Sequence, residues 1–287
     1  MIDRLAIIGV GLIGGSLALA LKQAGAVGHV VGCGRNQQSL EKGIELGIID
    51  SYQISVSDAV KAADIVVVAV PLGAMRRVFE QIAGAITDQA VITDVGSAKA
   101  SVVEVAMECL GDRVGQFVPG HPVAGTEKSG VEAGFASLYQ NKRVILTPLD
   151  STDQGAIETI DKMWRQCGAS IEYLSVQHHD KVLAATSHLP HMLAYALVNF
   201  LSGLNEHDEI FKYASGGFRD FTRIASSDPV MWRDVCISNG DALLALIEQY
   251  KNELDQVSAA IQNQDAGRLL ELFGNAKSER DSLVGNC

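Results

Sequence analysis

The chain has 287 residues, 47% of them apolar and 20% charged, which is enough hydrophobic material for packed cores and too much for a disordered chain. Its length suggests two domains. Lysine and arginine number 23 against 34 acidic residues, a net charge of −11; this argues against nucleic-acid binding and against adhesion to anionic lipid, and it requires a local positive pocket for any anionic substrate.

Five cysteines stand at 33, 109, 167, 236 and 287. The count is odd and no two are closely spaced, so neither a disulfide framework nor a Cys-x-x-Cys site is expected. Buried, reduced thiols in a cytoplasmic protein are. The apolar run Leu5–Leu21 lacks a basic lead-in, is interrupted by glycines and stops at Lys22. It is too short to span a bilayer, and neither a targeting segment nor a membrane contact is expected.

The first half alternates. Leu5–Gly9 reads as a strand, Leu12–Ala24 as a helix, Val30–Cys33 as a strand and Gln38–Leu46 as a helix. Ile65–Val70 and Ala90–Asp94 are short β-branched runs, with a helix over Lys99–Cys109 after the second. Phe117–Pro119 and Arg143–Pro148 read as further strands. Such alternation predicts a doubly wound parallel sheet covered on both faces. A helix near Asp153–Cys167 and a strand near Ile171–Leu174 close this domain, which the pattern bounds at residues 1–174. Residues 175–287 read as all-helical. Lys181–Leu204 is apolar nearly all round and predicts a buried helix. Asp228 before Pro229 is a helix start, with long helices over Val230–Ile261 and Asp265–Asp281. So small a helical domain buries such a helix most readily against a second copy, so a homodimer through this domain is expected.

Gly9-Val10-Gly11-Leu12-Ile13-Gly14 is G-x-G-x-x-G between a strand and a helix, the context of a Rossmann-type dinucleotide site. Gly9 makes the tight turn, Gly11 lets a pyrophosphate approach and Gly14 lets helix and strand pack; Leu12 and Ile13 open the helix whose N-terminus faces the phosphates. An acid about 20 residues on would bind the ribose of NAD. Gly34 and Arg35 stand there instead. Arg35 can pair with a 2′-phosphate, which favours NADP over NAD; the alternative is a solvated arginine with NAD bound without its acid.

Three more segments fall at strand ends, where open α/β sheets bind ligands. They are Val70-Pro71-Leu72, Asp94–Lys99 (DVGSAK) and Gly120–Glu127 (GHPVAGTE). The first two, with Ser97, belong to the expected cofactor edge. His121, set between Gly120 and Pro122, is expected in an exposed loop, free for proton transfer. His188 and His191 are three apart, hence on one helix face, with His178 and His179 nearby. A metal would want a further regular ligand, none is evident, and no metal is expected. Arg219 and Arg223 in an apolar domain suggest carboxylate recognition or an ion pair with Asp220.

In Gly9–Gly14, Asp94–Lys99, Gly120–Gly130 (GHPVAGTEKSG), Ser187–His191 (SHLPH) and Gly217–Ala225 (GFRDFTRIA), the chain resembles the prephenate/arogenate dehydrogenases of tyrosine biosynthesis. The resemblance implies oxidative decarboxylation of prephenate or arogenate with hydride transfer to NAD(P)+. It implies that His121 takes the ring hydroxyl's proton with Ser97 as its hydrogen-bonding neighbour, and that Arg223 grips a substrate carboxylate. It also implies that Thr126, His179, Ser187, His188, His191 and Gly216 line the cleft and that Trp232 is presented near the partner subunit's site. By the same resemblance Glu127 and Asp220 are expected in a gating ion-pair network, leaving Arg219 as the expected structural partner of Asp220. The glycine motif comes so early, and the helices run so near to Cys287, that neither a fused mutase nor a regulatory domain is expected. Two rival readings are a β-hydroxyacid dehydrogenase, with Lys181 as its lysine, and a non-catalytic NADP-sensing protein.

Overall fold

The computed structural model describes residues 1–284, so Cys287 lies outside the described residues; Cys33 and Cys167 are buried, and Cys109 and Cys236 half-buried. The chain divides into two compact units, Met1–Gly240 and Asp241–Cys287.

The first unit starts with β1 (Ile2–Ile8), α1 (Leu12–Gln23), β2 (Val27–Cys33), α2 (Gln37–Glu45), β3 (Ser51–Gln53) and α3 (Val56–Val60). Then come β4 (Ile65–Val68), α4 (Met75–Ala83), β5 (Val91–Asp94), α5 (Ala100–Leu110) and β6 (Phe117–Val118). These six strands form one parallel sheet in the order β3-β2-β1-β4-β5-β6. The order reverses between β1 and β4, which opens a crevice at the strand ends. Alternate residues of one strand serve opposite faces, as a period of two requires. Leu5 and Ile7 join a core with Leu17, Ile160 and Trp164, while Ala6 and Ile8 join another with Phe79, Ile92 and Phe117.

A second sheet of three strands follows: β7 (Gly120–Pro122), antiparallel to β8 (Arg143–Leu146), which is parallel to β9 (Ser170–Tyr173). The strand expected at Arg143–Pro148 therefore belongs to this small sheet and not to the large one. Between β8 and β9, α6 (Gln154–Gln166) packs Ile160 and Trp164 into the first core.

The helical part begins with α7 (Val176–Leu183), one turn of π-helix (Ala184–His188) and α8 (Leu189–Ser202). The buried helix expected over Lys181–Leu204 is thus interrupted, and within α8 only Ala194 is buried in the single chain. After α9 (His207–Lys212) and α10 (Gly216–Thr222) comes α11 (Pro229–Ser238), where the Asp228 carboxylate accepts from the Val230 and Met231 N–H groups. The expected helix Val230–Ile261 breaks at Asn239, and α12 (Gly240–Gln262) carries the chain into the second unit. That unit ends in α13 (Ala266–Val284). Among the described residues no helix is long and apolar enough to cross a membrane.

Candidate active site

The glycine loop joins β1 to α1. Gly9 has φ +104°, and a Cβ there would lie 2.3 Å from the Ala69 carbonyl oxygen. A Cβ on Gly14 would lie 2.4 Å from the Gly9 carbonyl, so helix and strand meet only because both residues are glycine. Gly11, at the N-cap of α1, faces open space and supplies no side-chain cap. The first N–H groups of α1, from Leu12 and Ile13, are thus left for an anion, which fits a dinucleotide pyrophosphate. The Tyr139 hydroxyl donates to the Ile13 carbonyl at 2.6 Å and holds the loop down. Val70 packs beside Gly9, and Pro71 starts the next loop. Gly34 and the exposed Arg35 follow β2; Arg35 makes no ion pair among the described residues.

At the end of β5, Asp94 and Lys99 form a fully buried ion pair. Both clamp the peptide before His121. Asp94 Oδ1 accepts from the Gly120 N–H at 3.1 Å, and Lys99 Nζ donates to the Gly120 carbonyl at 2.7 Å. Asp94 Oδ2 also accepts from the Gly96 N–H at 2.7 Å, which shapes the loop that carries Ser97.

His121 itself lies on β7 and is 8% exposed, so the exposed loop expected for it is corrected to a buried strand. The resemblance puts Ser97 beside it; the structure puts His179 there. His121 Nδ1 and His179 Nε2 are 2.8 Å apart, and His179 Nδ1 is 2.8 Å from Asp180 Oδ1. Asp180 accepts further from the Lys99 N–H at 2.7 Å and the Ala100 N–H at 2.8 Å, at the start of α5. Burial pushes the Asp180 carboxyl up, yet the His179 hydrogen bond and these two N–H groups together hold it below the usual carboxylate range. An ionised Asp180 only accepts, so His179 donates from Nδ1 and accepts at Nε2. His121 then donates from Nδ1, and its Nε2 carries the free lone pair. Burial first, then the charges of His179, Lys99 and His188, keep the His121 imidazole neutral well below its ordinary value. Burial likewise lowers His179, against the opposing pull of Asp180.

His188 is fully buried, and burial lowers its pKa to about 4. His191 donates from Nδ1 to the Ser187 carbonyl at 2.8 Å, and its ring stacks on Trp232 with centroids 3.7 Å apart. Trp232 is expected at a partner's site; here its ring is buried against His191 of its own chain. Arg223 lies 3.5 Å from Glu127, and both are largely exposed. That contact joins the residue expected to hold substrate to one expected in a gate. Asp220 and Arg219 are exposed and form no ion pair among the described residues, so the structural pairing expected between them is absent. Thr126 accepts from the Lys128 N–H within its own exposed loop, and Gly216 opens α10 at the surface. Lys181 is exposed on α7. Among the described residues no three His, Cys, Asp or Glu side chains group as metal ligands.

Sequence reasoning missed Asp180 and Asn239 and gave Lys99 no role. Asp180 directly follows His179, a short range in which a carboxylate reaches an imidazole, and Lys99 ends the DVGSAK segment. Asn239 has no local signal beyond its place before Gly240.

Known proteins resemble this arrangement throughout. Residues 17–173 match the nucleotide-binding domain of prephenate dehydrogenase and residues 175–275 its dimerization domain. A cyclohexadienyl dehydrogenase of Zymomonas mobilis is 39% identical over 98% of this chain and 96% of its own length. The crystal structure of prephenate dehydrogenase from A. aeolicus, in complex with hydroxyphenyl propionate and NAD+, is 38% identical with a TM-score of 0.91, covering 99% of both chains. Synechocystis arogenate dehydrogenase is 29% identical with a TM-score of 0.80, over 98% of this chain and 99% of its own. With a parallel sheet that carries a dinucleotide-type glycine loop, the buried His121–His179–Asp180 chain and these matches along nearly the whole chain, the protein belongs to the prephenate dehydrogenase family.

Proposed function

We propose that the protein oxidatively decarboxylates prephenate, arogenate or both, giving 4-hydroxyphenylpyruvate or tyrosine with hydride transfer to NAD(P)+. The observation that carries this reading is the fixed tautomer of His121. Its Nδ1–H is held by His179, and Asp180 fixes His179 in turn. The free Nε2 is a buried, neutral base.

Bound nicotinamide supplies the hydride acceptor, and the glycine loop and α1 N-terminus are the groups that would hold its dinucleotide. The hydride leaves the ring carbon that bears the hydroxyl. Positive charge develops there, and His121 Nε2 draws the hydroxyl proton to offset it. The ring carboxylate leaves as carbon dioxide, its bonding electrons enter the ring, and the ring becomes aromatic. The proton returns to the phenolate oxygen. General-base help of this kind is worth about 10²–10⁴-fold. Arg223 offers a forked guanidinium to a substrate carboxylate, which suits it better than a lysine would. The working unit is a homodimer through the helical part, supported by the dimerization-domain match and by the uncovered apolar face of α8.

Arg35 favours NADP. Arg35→Ala is expected to weaken NADP by about 1.5–3 kcal/mol, or roughly 10–150-fold, and to leave NAD nearly unchanged. Equal weakening of both would remove Arg35 from cofactor choice. The activity is tested by following reduced cofactor with prephenate, arogenate and 3-hydroxyacids, each with NAD+ and with NADP+. Turnover of 3-hydroxyacids alone would overturn the reading, although the exposed position of Lys181 speaks against that outcome.

A further inference from the structure

The polar groups around His188 are not used by the chemistry above. His188 closes the π-helical turn and is fully enclosed. Its Nδ1 lies 3.1 Å from Asn239 Nδ2. The same Nδ2 donates to the backbone carbonyl of Asp180 at 2.8 Å. A carbonyl oxygen only accepts, so this contact fixes the orientation of the amide. Turned the other way, Oδ1 would face the Asp180 oxygen. Nδ2 has two hydrogens, one for Asp180 and one for His188.

His188 Nδ1 therefore accepts. A neutral imidazole that accepts at Nδ1 carries its proton on Nε2. Burial keeps His188 neutral; the Asp180 charge and the Ser97 backbone oppose this, and His179 and His191 add to it. Its Nε2 is buried and closes no hydrogen bond of good geometry; the acceptor it meets, the Ser97 backbone, satisfies it only weakly. The Trp232 indole Nε1 is buried without a partner, and the two rings stand 6.2 Å apart. Buried donors so poorly satisfied are rare in folded proteins and call for an explanation.

We propose that Asn239 is a positioning residue that fixes His188 as the Nε2–H tautomer, so that this position offers a neutral hydrogen-bond donor to an acceptor oxygen of the bound substrate or cofactor. The proposal rests on the functional reading above for the identity of those ligands, though not for the tautomer. Asn239 acts through His188 and touches no reacting atom. Its placement in the break between α11 and α12 lets one amide reach both the end of α7 and the π turn.

The test is ¹⁵N NMR of the full chain with labelled histidine, the His188 signals being assigned by their loss in His188→Gln. Wild type is expected to show a protonated Nε2 and a bare Nδ1 at neutral pH. Adding NAD+ alone or prephenate alone identifies which ligand supplies the oxygen, through a shift of the Nε2–H signal. Asn239→Asp replaces the donor by an acceptor, so the proton should move to Nδ1. kcat should then fall by roughly 10–100-fold, with the affinity for the ligand that does not supply the oxygen far less affected. Asn239→Ala removes control without adding charge, and a mixture of tautomers is expected. If Asn239→Asp does not fold, wild type and Asn239→Ala still decide. A wild-type Nδ1–H tautomer, an Nε2–H signal that neither ligand moves, or an Asn239→Ala variant with a single Nε2–H tautomer and full kcat would each overturn the proposal. Wild type that turns over neither prephenate nor arogenate would sink the functional reading and leave the tautomer measurement standing.

Discussion

His121 works as a base only while Nε2 is unprotonated. Burial and its charged neighbours lower its folded pKa below 6.5. The acid limb of kcat/KM is therefore expected below pH 6.5, because protonation that would silence the base is delayed to lower pH. His121→Asn should lower kcat about 10²–10⁴-fold, abolish that limb and spare cofactor binding; a variant with most of its turnover would exclude the assignment. Arg223 presents a different case. Its side chain is 63% exposed and lies near Glu127, so solvent screens it. Arg223→Ala should raise KM by only about 5- to 10-fold and leave the melting temperature near wild type. Arg219, exposed and without an ion pair among the described residues, should matter to stability by less than about 0.5 kcal/mol on replacement. A large KM effect at Arg219 and none at Arg223 would exchange their roles.

At the scale of elements, the buried Asp94–Lys99 pair joins three of them: the end of β5, the start of α5 and the first residue of β7. Burial pushes the Lys99 ammonium down, and the Asp94 carboxylate beside it pulls the other way. Removing one member leaves the other charge buried and unpaired. Lys99→Met is therefore expected to cost about 3–5 kcal/mol of stability in chemical denaturation, with activity lost through displaced Gly120 and His121; a cost under about 1 kcal/mol would mean that the clamp is not structural. Five strands of the large sheet were legible because buried parallel strands read as unbroken apolar runs, while β3, α3 and α4 went unread. The amphipathic helix α4 was legible in principle: Met75, Val78, Phe79 and Ile82 fall at helical spacing and are all buried. By contrast, β3 has three residues and β7 three, too few for any period to show. The π turn before α8 left no mark because its five residues, Ala184 to His188, are too few for a change of period to show. The stop at Ser238-Asn239-Gly240 carried an ordinary helix-ending signal that apolar spacing masked. In the site, His121 was legible from its Gly and Pro flanks, while its partner was not, since His179 lies 58 residues away and meets it only through the fold.

For the whole molecule, the helices after residue 188 leave too much apolar surface bare for a lone chain. Only one residue of α8 is buried, and Phe200 is 63% exposed. In the unit Asp241–Cys287, Leu270 is 76% and Phe273 58% exposed on α13. Each large side chain covered on association would contribute about 1.5–3 kcal/mol. The net charge of −11 opposes association at long range, so the contact must come from apolar packing and not from charge. A two-fold interface presents every such residue twice, which doubles both the gain and the effect of a substitution. The expected outcome is a dimer in sedimentation equilibrium at micromolar concentration. Folding coupled to association should raise the melting temperature by a few degrees per tenfold rise in protein concentration, since each tenfold step adds about 1.4 kcal/mol. Phe273→Asp should weaken the dimer and flatten that dependence, by placing two charges in a dry contact. A monomer at all concentrations, with a melting temperature that does not move, would show that this apolar surface serves something other than a second copy.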